Sequence, residues 1–129
     1  MKTYKECCEY IGISEELPKC HVDERQIQAA YKLRVCMRAW NKQDGFEPDE
    51  KAIFNRKNVG YTPYFYFRNG SLMLSGSTAS GSYAGIVFTY ASLVDASAYA
   101  FFGLRLPLKT RERAIEFGET FIETFNELL

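Results

Sequence analysis

Apolar positions along the chain change their period three times, and the changes divide it into segments. Over residues 3–11, Tyr4, Cys7, Cys8 and Ile11 recur at helical spacing, and Gly12 supplies a stop. SEELPKCHV then reads as a loop broken at Pro18. Asp23 is placed to cap a second helix over about 24–41, whose Ala29, Ala30, Leu33, Cys36, Met37 and Trp40 share one face. Arg25, Gln28, Lys32, Arg34 and Arg38 fall mostly elsewhere, on a solvated basic side. Residues 42–62 break both periods with Gly45, Pro48, Asn55, Asn58 and Gly60, and read as a long connector.

From Pro63 the period becomes two. TPYFYFRNGSLML holds two runs of β-formers around Asn69-Gly70, the strongest short hairpin signal. The alternation places Tyr64 and Tyr66 on one side and Phe65 and Phe67 on the other, with the phenylalanines as the core candidates. SGSTASGSYAG is either a flexible loop or a Gly-kinked edge strand; 86–94 and 97–108 read as further strands. Thr110 then caps a final helix with Phe117, Phe121, Phe125 and Leu128 down one side. The order ααββββα predicts an α+β fold: an antiparallel sheet of three to four strands with helices packed on one face.

Composition adjusts this picture in a few places. At 129 residues the chain suits one domain, 1–129, burying roughly two-thirds of its unfolded surface. The aromatic share is an unusual 16%, ten Phe, nine Tyr and one Trp; such rings usually fill a core, and a minority mark a contact surface. Sixteen basic and sixteen acidic residues cancel, which removes the long-range positive field that non-specific duplex binding needs. No apolar run is long enough to span a bilayer, and MKTYKECCEYIG is too polar for a signal-peptide core, so a cytoplasmic location is expected, without a membrane partner. There Cys7, Cys8, Cys20 and Cys36 are expected as thiols, and they lack the close-spaced pairs of a zinc site.

Catalytic and ligand motifs fail one by one. WNKQDGFEPD (40–49) is rich in acids and amides, but its spacing is not that of a calcium loop, and Glu47, Asp49 and Glu50 are merely close in sequence. GSTASG (76–81) has the gap of a phosphate loop without its lysine, and GSYAG (81–85) sets its serine one place early for a nucleophile elbow. His21 beside Cys20 is adjacency in a loop, not a catalytic pair. No catalytic residue, metal site or cofactor is expected. Tyr64, Tyr66, Arg68, Tyr90, Tyr99 and Arg105 could form a base-stacking sheet face, although AYAFFGLRL does not match the ribonucleoprotein motif.

Three pieces in order, KLRVCMRAWNKQDGFEPD (32–49), TPYFYF (62–67) and FFGLRLPLKTRERAIEFGETF (102–122), carry a resemblance. The chain resembles a family of small uncharacterised proteins found in phages and prophage-like regions. These combine a helix ending in a Leu-Asn-Glu-like step, an aromatic, Pro-Asp, a Pro-aromatic-Phe strand and a closing Gly-x-Arg-Leu with a capped helix. Matching positions here include Trp40, Asn41, Phe46, Pro48, Asp49, Pro63, Tyr64 and Phe65, then Gly103, Arg105, Leu106, Lys109, Thr110, Ala114, Gly118 and Phe121. The chain departs from the pattern in lacking a tryptophan after Gly45 and in its Ser/Gly-rich middle. The family carries no assigned activity. The resemblance implies that 40–49 is a structural connector packed back on the sheet, anchored by Trp40 and Phe46, with Asp49 accepting backbone hydrogen bonds.

The expectation is therefore a non-enzymatic phage- or mobile-element-related accessory protein that binds another protein, a homo-oligomer of itself included. The alternative is a single-stranded nucleic-acid-binding module using the aromatic sheet face. Tyr64, Tyr66, Arg68 and Arg105 are the candidate interaction surface for either.

Overall fold

A computed structural model describes residues 1–47, 60–68, 70–79 and 106–129. Helix α1, Tyr4–Ile11, opens on Thr3, whose Oγ1 accepts from the Glu6 amide at 3.1 Å. It closes on Gly12 at φ 73°, the left-handed conformation that glycine adopts without steric cost. Helix α2, Glu24–Gln43, is the longest described element. Of its expected apolar stripe, Ala29, Leu33, Cys36, Met37 and Trp40 are buried and Ala30 is half-buried. The expected cap at Asp23 is not made. Asp23 sits at φ 54° with no side-chain cap bond, and Glu24 turns back to accept from the Cys20 amide at 3.0 Å. Gln28 adds a bond to the Pro18 carbonyl at 2.8 Å, strapping the loop to α2.

Strands β1, Tyr61–Arg68, and β2, Ser71–Ala79, form one antiparallel hairpin. Gly70, at φ 80°, supplies the positive φ that the tight Asn-Gly turn requires. Register runs from Arg68↔Ser71 to Phe65↔Leu74, then slips to Tyr64↔Gly76, a bulge that leaves Ser75 unpaired. The small polar segment therefore enters the strand as far as Ala79.

Here the architecture differs from the expected one. Among the described residues helix predominates, and the β structure is this two-stranded hairpin rather than an antiparallel sheet of three to four strands. The expected strand 86–94 and most of 97–108 lie outside the described residues. What is described of the latter, 106–108, is a buried segment that makes one bridge, Tyr61↔Leu108, with N–H···O bonds of 2.9 and 2.7 Å. Pro63, the next residue of β1 whose backbone faces this segment, has no amide proton to extend that ladder, and the chain turns directly into a helix.

That helix, α3, Arg111–Thr120, is capped by Thr110 Oγ1 accepting from the Arg113 amide at 3.0 Å, as expected. The single final helix is bent. Phe121 leaves the helical region at φ −109°, ψ 24°, and α4, Ile122–Asn126, continues beyond it. The bonds Phe121 N–H to Phe117 O and Phe125 N–H to Phe121 O both persist at 3.0 Å, so the ladder bends without stopping.

The core lies where α2, the α3–α4 pair and the hairpin meet. Trp40 packs edge-on against Phe117 with centroids 5.1 Å apart, and Phe65 of β1 meets Phe125 of α4 at 4.5 Å. Leu33, Leu106, Leu108 and Ala114 complete it, all essentially inaccessible to solvent. Edge-to-face rings gain beyond their buried area by about 0.5–1.5 kcal/mol a pair.

Candidate functional site

The long helix α2 joins the core to the surface. Measured around its axis at 100° per residue, the buried stripe is centred opposite Ile27, Tyr31, Arg34, Arg38 and Lys42. These five recur at i, i+4, i+7, i+11 and i+15, and so form one outer stripe. Its first half is apolar and open: Ile27 is 43% exposed, Tyr31 37%, and Val22, just before the helix, 69%. Its second half is cationic, and Arg38 and Lys42 are exposed. Over the whole of α2, Arg25, Lys32, Arg34, Arg38 and Lys42 stand against a single acid, Glu24, in a chain whose charges sum to zero.

Two of the cations lie over tyrosine rings of α1: Lys32 Nζ is 6.0 Å from the Tyr4 centroid and Lys42 Nζ 5.7 Å from that of Tyr10. Tyr10 is itself 44% exposed, so α1 extends the aromatic surface at the basic end.

The opening of the connector takes its shape from α2 as well. Trp40 and Asn41 are helical and buried, so they belong to α2 rather than to a loop. Trp40 Nε1 donates to the Met1 carbonyl at 3.1 Å. Asp49, expected to accept backbone hydrogen bonds, lies outside the described residues; the acid described at this junction is Asp44. Its Oδ2 accepts from Arg113 Nε at 2.8 Å, and its carbonyl accepts from Lys109 Nζ at 3.0 Å. Arg113 Cζ also stacks 4.1 Å from the Trp40 ring centroid. Burial pulls the Arg113 guanidinium pKa down, but Asp44 and then Glu116 outweigh it, and the net direction is upward. Phe46 is half-buried, its amide bonded to the Asn41 carbonyl at 2.8 Å.

Beside this junction a cavity of ≈ 410 Å³ is lined by Met37, Arg38, Asn41, Lys42, Gly45, Phe46 and Glu47. Asn41 Nδ2 donates to the Pro107 carbonyl at 2.8 Å and lies 3.0 Å from Met37 Sδ. Its Oδ1 has no hydrogen-bond partner. That oxygen is closed to solvent, so the cavity does not offer it to a ligand; it is a cost of burial.

The thiols lie mostly in the interior. Cys7, Cys8 and Cys36 are buried and Cys20 half-buried, all four free. Contact with the Cys7 thiol, followed by burial, pushes the Cys36 thiol well up, so it stays protonated. Burial, then the Cys8 contact, raises the Tyr4 phenol. Among the described residues no three His, Cys, Asp or Glu side chains gather to hold a metal ion. His21 is exposed in its loop.

Of the sequence-derived surface, Tyr64, Tyr66 and Arg68 lie on β1, their backbones paired with Gly76, Met73 and Ser71. Their side chains, and Arg105, Tyr90 and Tyr99 altogether, lie outside the described residues. Ile27 and Tyr31 were not singled out from the sequence. The signal was available, since an i, i+4 apolar pair stands opposite the buried stripe.

Among the described residues, no helix is long and apolar enough to cross a membrane. No family model, no curated protein and no solved structure matches the chain.

Proposed function

We propose that the chain is a non-enzymatic accessory module, of the kind carried by phages and mobile elements, that binds another protein. The observation that carries this reading is the outer stripe of α2. Exposed Ile27 and Tyr31 stand beside Arg38 and Lys42 on a helix anchored to the core along its opposite side. Single exposed apolar residues are commonplace. An apolar pair with a neighbouring cationic pair on a rigid helix matches what protein interfaces use: rings and aliphatic groups for desolvation, and charges for register and encounter rate. The cations alone would suit a phosphate backbone equally well; the apolar half favours protein.

The test is affinity capture of the tagged chain from its host, with and without nuclease, comparing it with Ile27→Glu/Tyr31→Glu. A discrete protein held by the parent through nuclease treatment, and lost by the folded variant, is the expected result. Material that disappears with nuclease would instead make the chain a single-stranded nucleic-acid binder. A protein retained equally by the variant would remove α2 from the interface.

A further inference from the structure

Glu112, Glu116, Glu119 and Glu123 are all exposed and recur at i, i+4, i+7 and i+11 along α3 and α4. Ile27, Tyr31, Arg34 and Arg38 have the same spacing on α2. Each row covers about 16 Å of helix at 1.5 Å per residue. The bend at Phe121 shifts Glu123 somewhat from the line of the other three. The two rows are opposite in sign where their charges lie, and the whole chain is neutral. Helix α2 carries five cations and one acid, whereas 111–126 carries four acids and two arginines, so the two segments are opposite in net sign. Glu116 is partly engaged by Arg113 Nη1 at 3.1 Å, which leaves Glu119 and Glu123 as the less committed anions.

Resting on the reading of α2 as a protein-binding surface, we infer that the protein it takes is a second copy of this chain. The basic end of one α2 lies along the acidic row of α3–α4 on its neighbour. Charge complementarity selects this occupant, because the chain itself carries an exposed row of the right sign. Such a contact joins two different patches, so it closes into a ring where the rotation allows and otherwise propagates into open chains. Exposed ion pairs are individually weak and screened by salt. The association is accordingly expected to be modest and concentration-dependent.

The experiment is sedimentation velocity of the full chain from about 10 µM to about 1 mM, in about 50 mM and about 500 mM salt. Two charge-reversed variants are run beside it, Arg38→Glu/Lys42→Glu and Glu119→Lys/Glu123→Lys. All four substituted residues are exposed, and far-UV circular dichroism with a thermal melt checks that the variants fold. The parent is expected to self-associate at low salt and to weaken at least about tenfold at high salt. Each variant alone, now with like charges at the reversed positions of one row and the facing end of the other, is expected to remain monomeric, and an equimolar mixture of the two to associate again. A parent that is monomeric throughout would overturn the inference, as would folded variants that associate like the parent, or a mixture that stays monomeric. Capture of a foreign protein through Ile27 and Tyr31 alongside a monomeric parent would overturn it too, while leaving the binding reading of α2 in place.

Discussion

Trp40 is held by contacts of three different kinds: the rings of Phe117 and Phe121, the guanidinium of Arg113 and the carbonyl of Met1. Residues placed this way lose stability by identifiable mechanisms. Asn41→Ala removes the donor to the buried Pro107 carbonyl, and equilibrium denaturation should show a loss of about 1–3 kcal/mol. The two helix starts should behave oppositely. Thr110 makes its cap bond, so Thr110→Ala should cost about 1 kcal/mol in the same assay. Asp23 makes none and stands at positive φ, so Asp23→Gly should be neutral or raise stability by up to about 1 kcal/mol. Both residues look like caps in the sequence; what distinguishes them is backbone conformation, which side-chain chemistry does not encode. The thiols offer an independent check on burial. In the native protein a thiol reagent should modify Cys20 rapidly and Cys7, Cys8 and Cys36 only on unfolding. Rapid modification of Cys36 would contradict its place in the core.

Elements were legible in the sequence to the extent that a local pattern governs them. The 3.6-residue stripe of α2, the Asn-Gly hairpin and the Thr110 start all follow from nearby residues. Sheet size does not, since strand pairing is decided by partners distant in sequence. The segment 106–108 looks like the end of a strand, yet among the described residues it makes a single bridge, to Tyr61, because Pro63 two residues on has no donor to extend it. The bend at Phe121 was equally unreadable, because an i, i+4 phenylalanine row is the same in a straight or a bent helix. Phe117 sits between Trp40, Phe121 and Phe125, with ring centroids 4.7 to 6.1 Å away. Phe117→Ala should therefore cost about 3–5 kcal/mol by chemical denaturation. A loss below about 1 kcal/mol would mean that α3 is not docked on α2 and the hairpin as described. By contrast, Ile27→Glu/Tyr31→Glu lies on the outer side of α2 and should change stability by about 0.5 kcal/mol or less at each position. A large loss there would mark the stripe as core.

At the scale of the molecule, one helix serves both structure and surface. Its inner stripe supplies Leu33, Cys36, Met37 and Trp40 to the core; its outer stripe presents Ile27, Tyr31, Arg38 and Lys42. The tyrosines first read as a contact surface belong to β1, and their alternation in sequence is plain, but their value as a surface depends on what lies over the hairpin. The outer stripe of α2 was harder to notice because two apolar residues among cations resemble an ordinary solvated face. Its assignment as a binding surface is the central claim, and photo-crosslinking tests it most directly. A benzophenone amino acid is placed at Tyr31, and in a second protein at exposed Lys5 on α1, and each is irradiated in the host. The account predicts one discrete protein adduct from position 31, a second copy or another chain, and none of comparable yield from position 5. Equal, diffuse labelling from both positions, or adducts from position 5 alone, would contradict it.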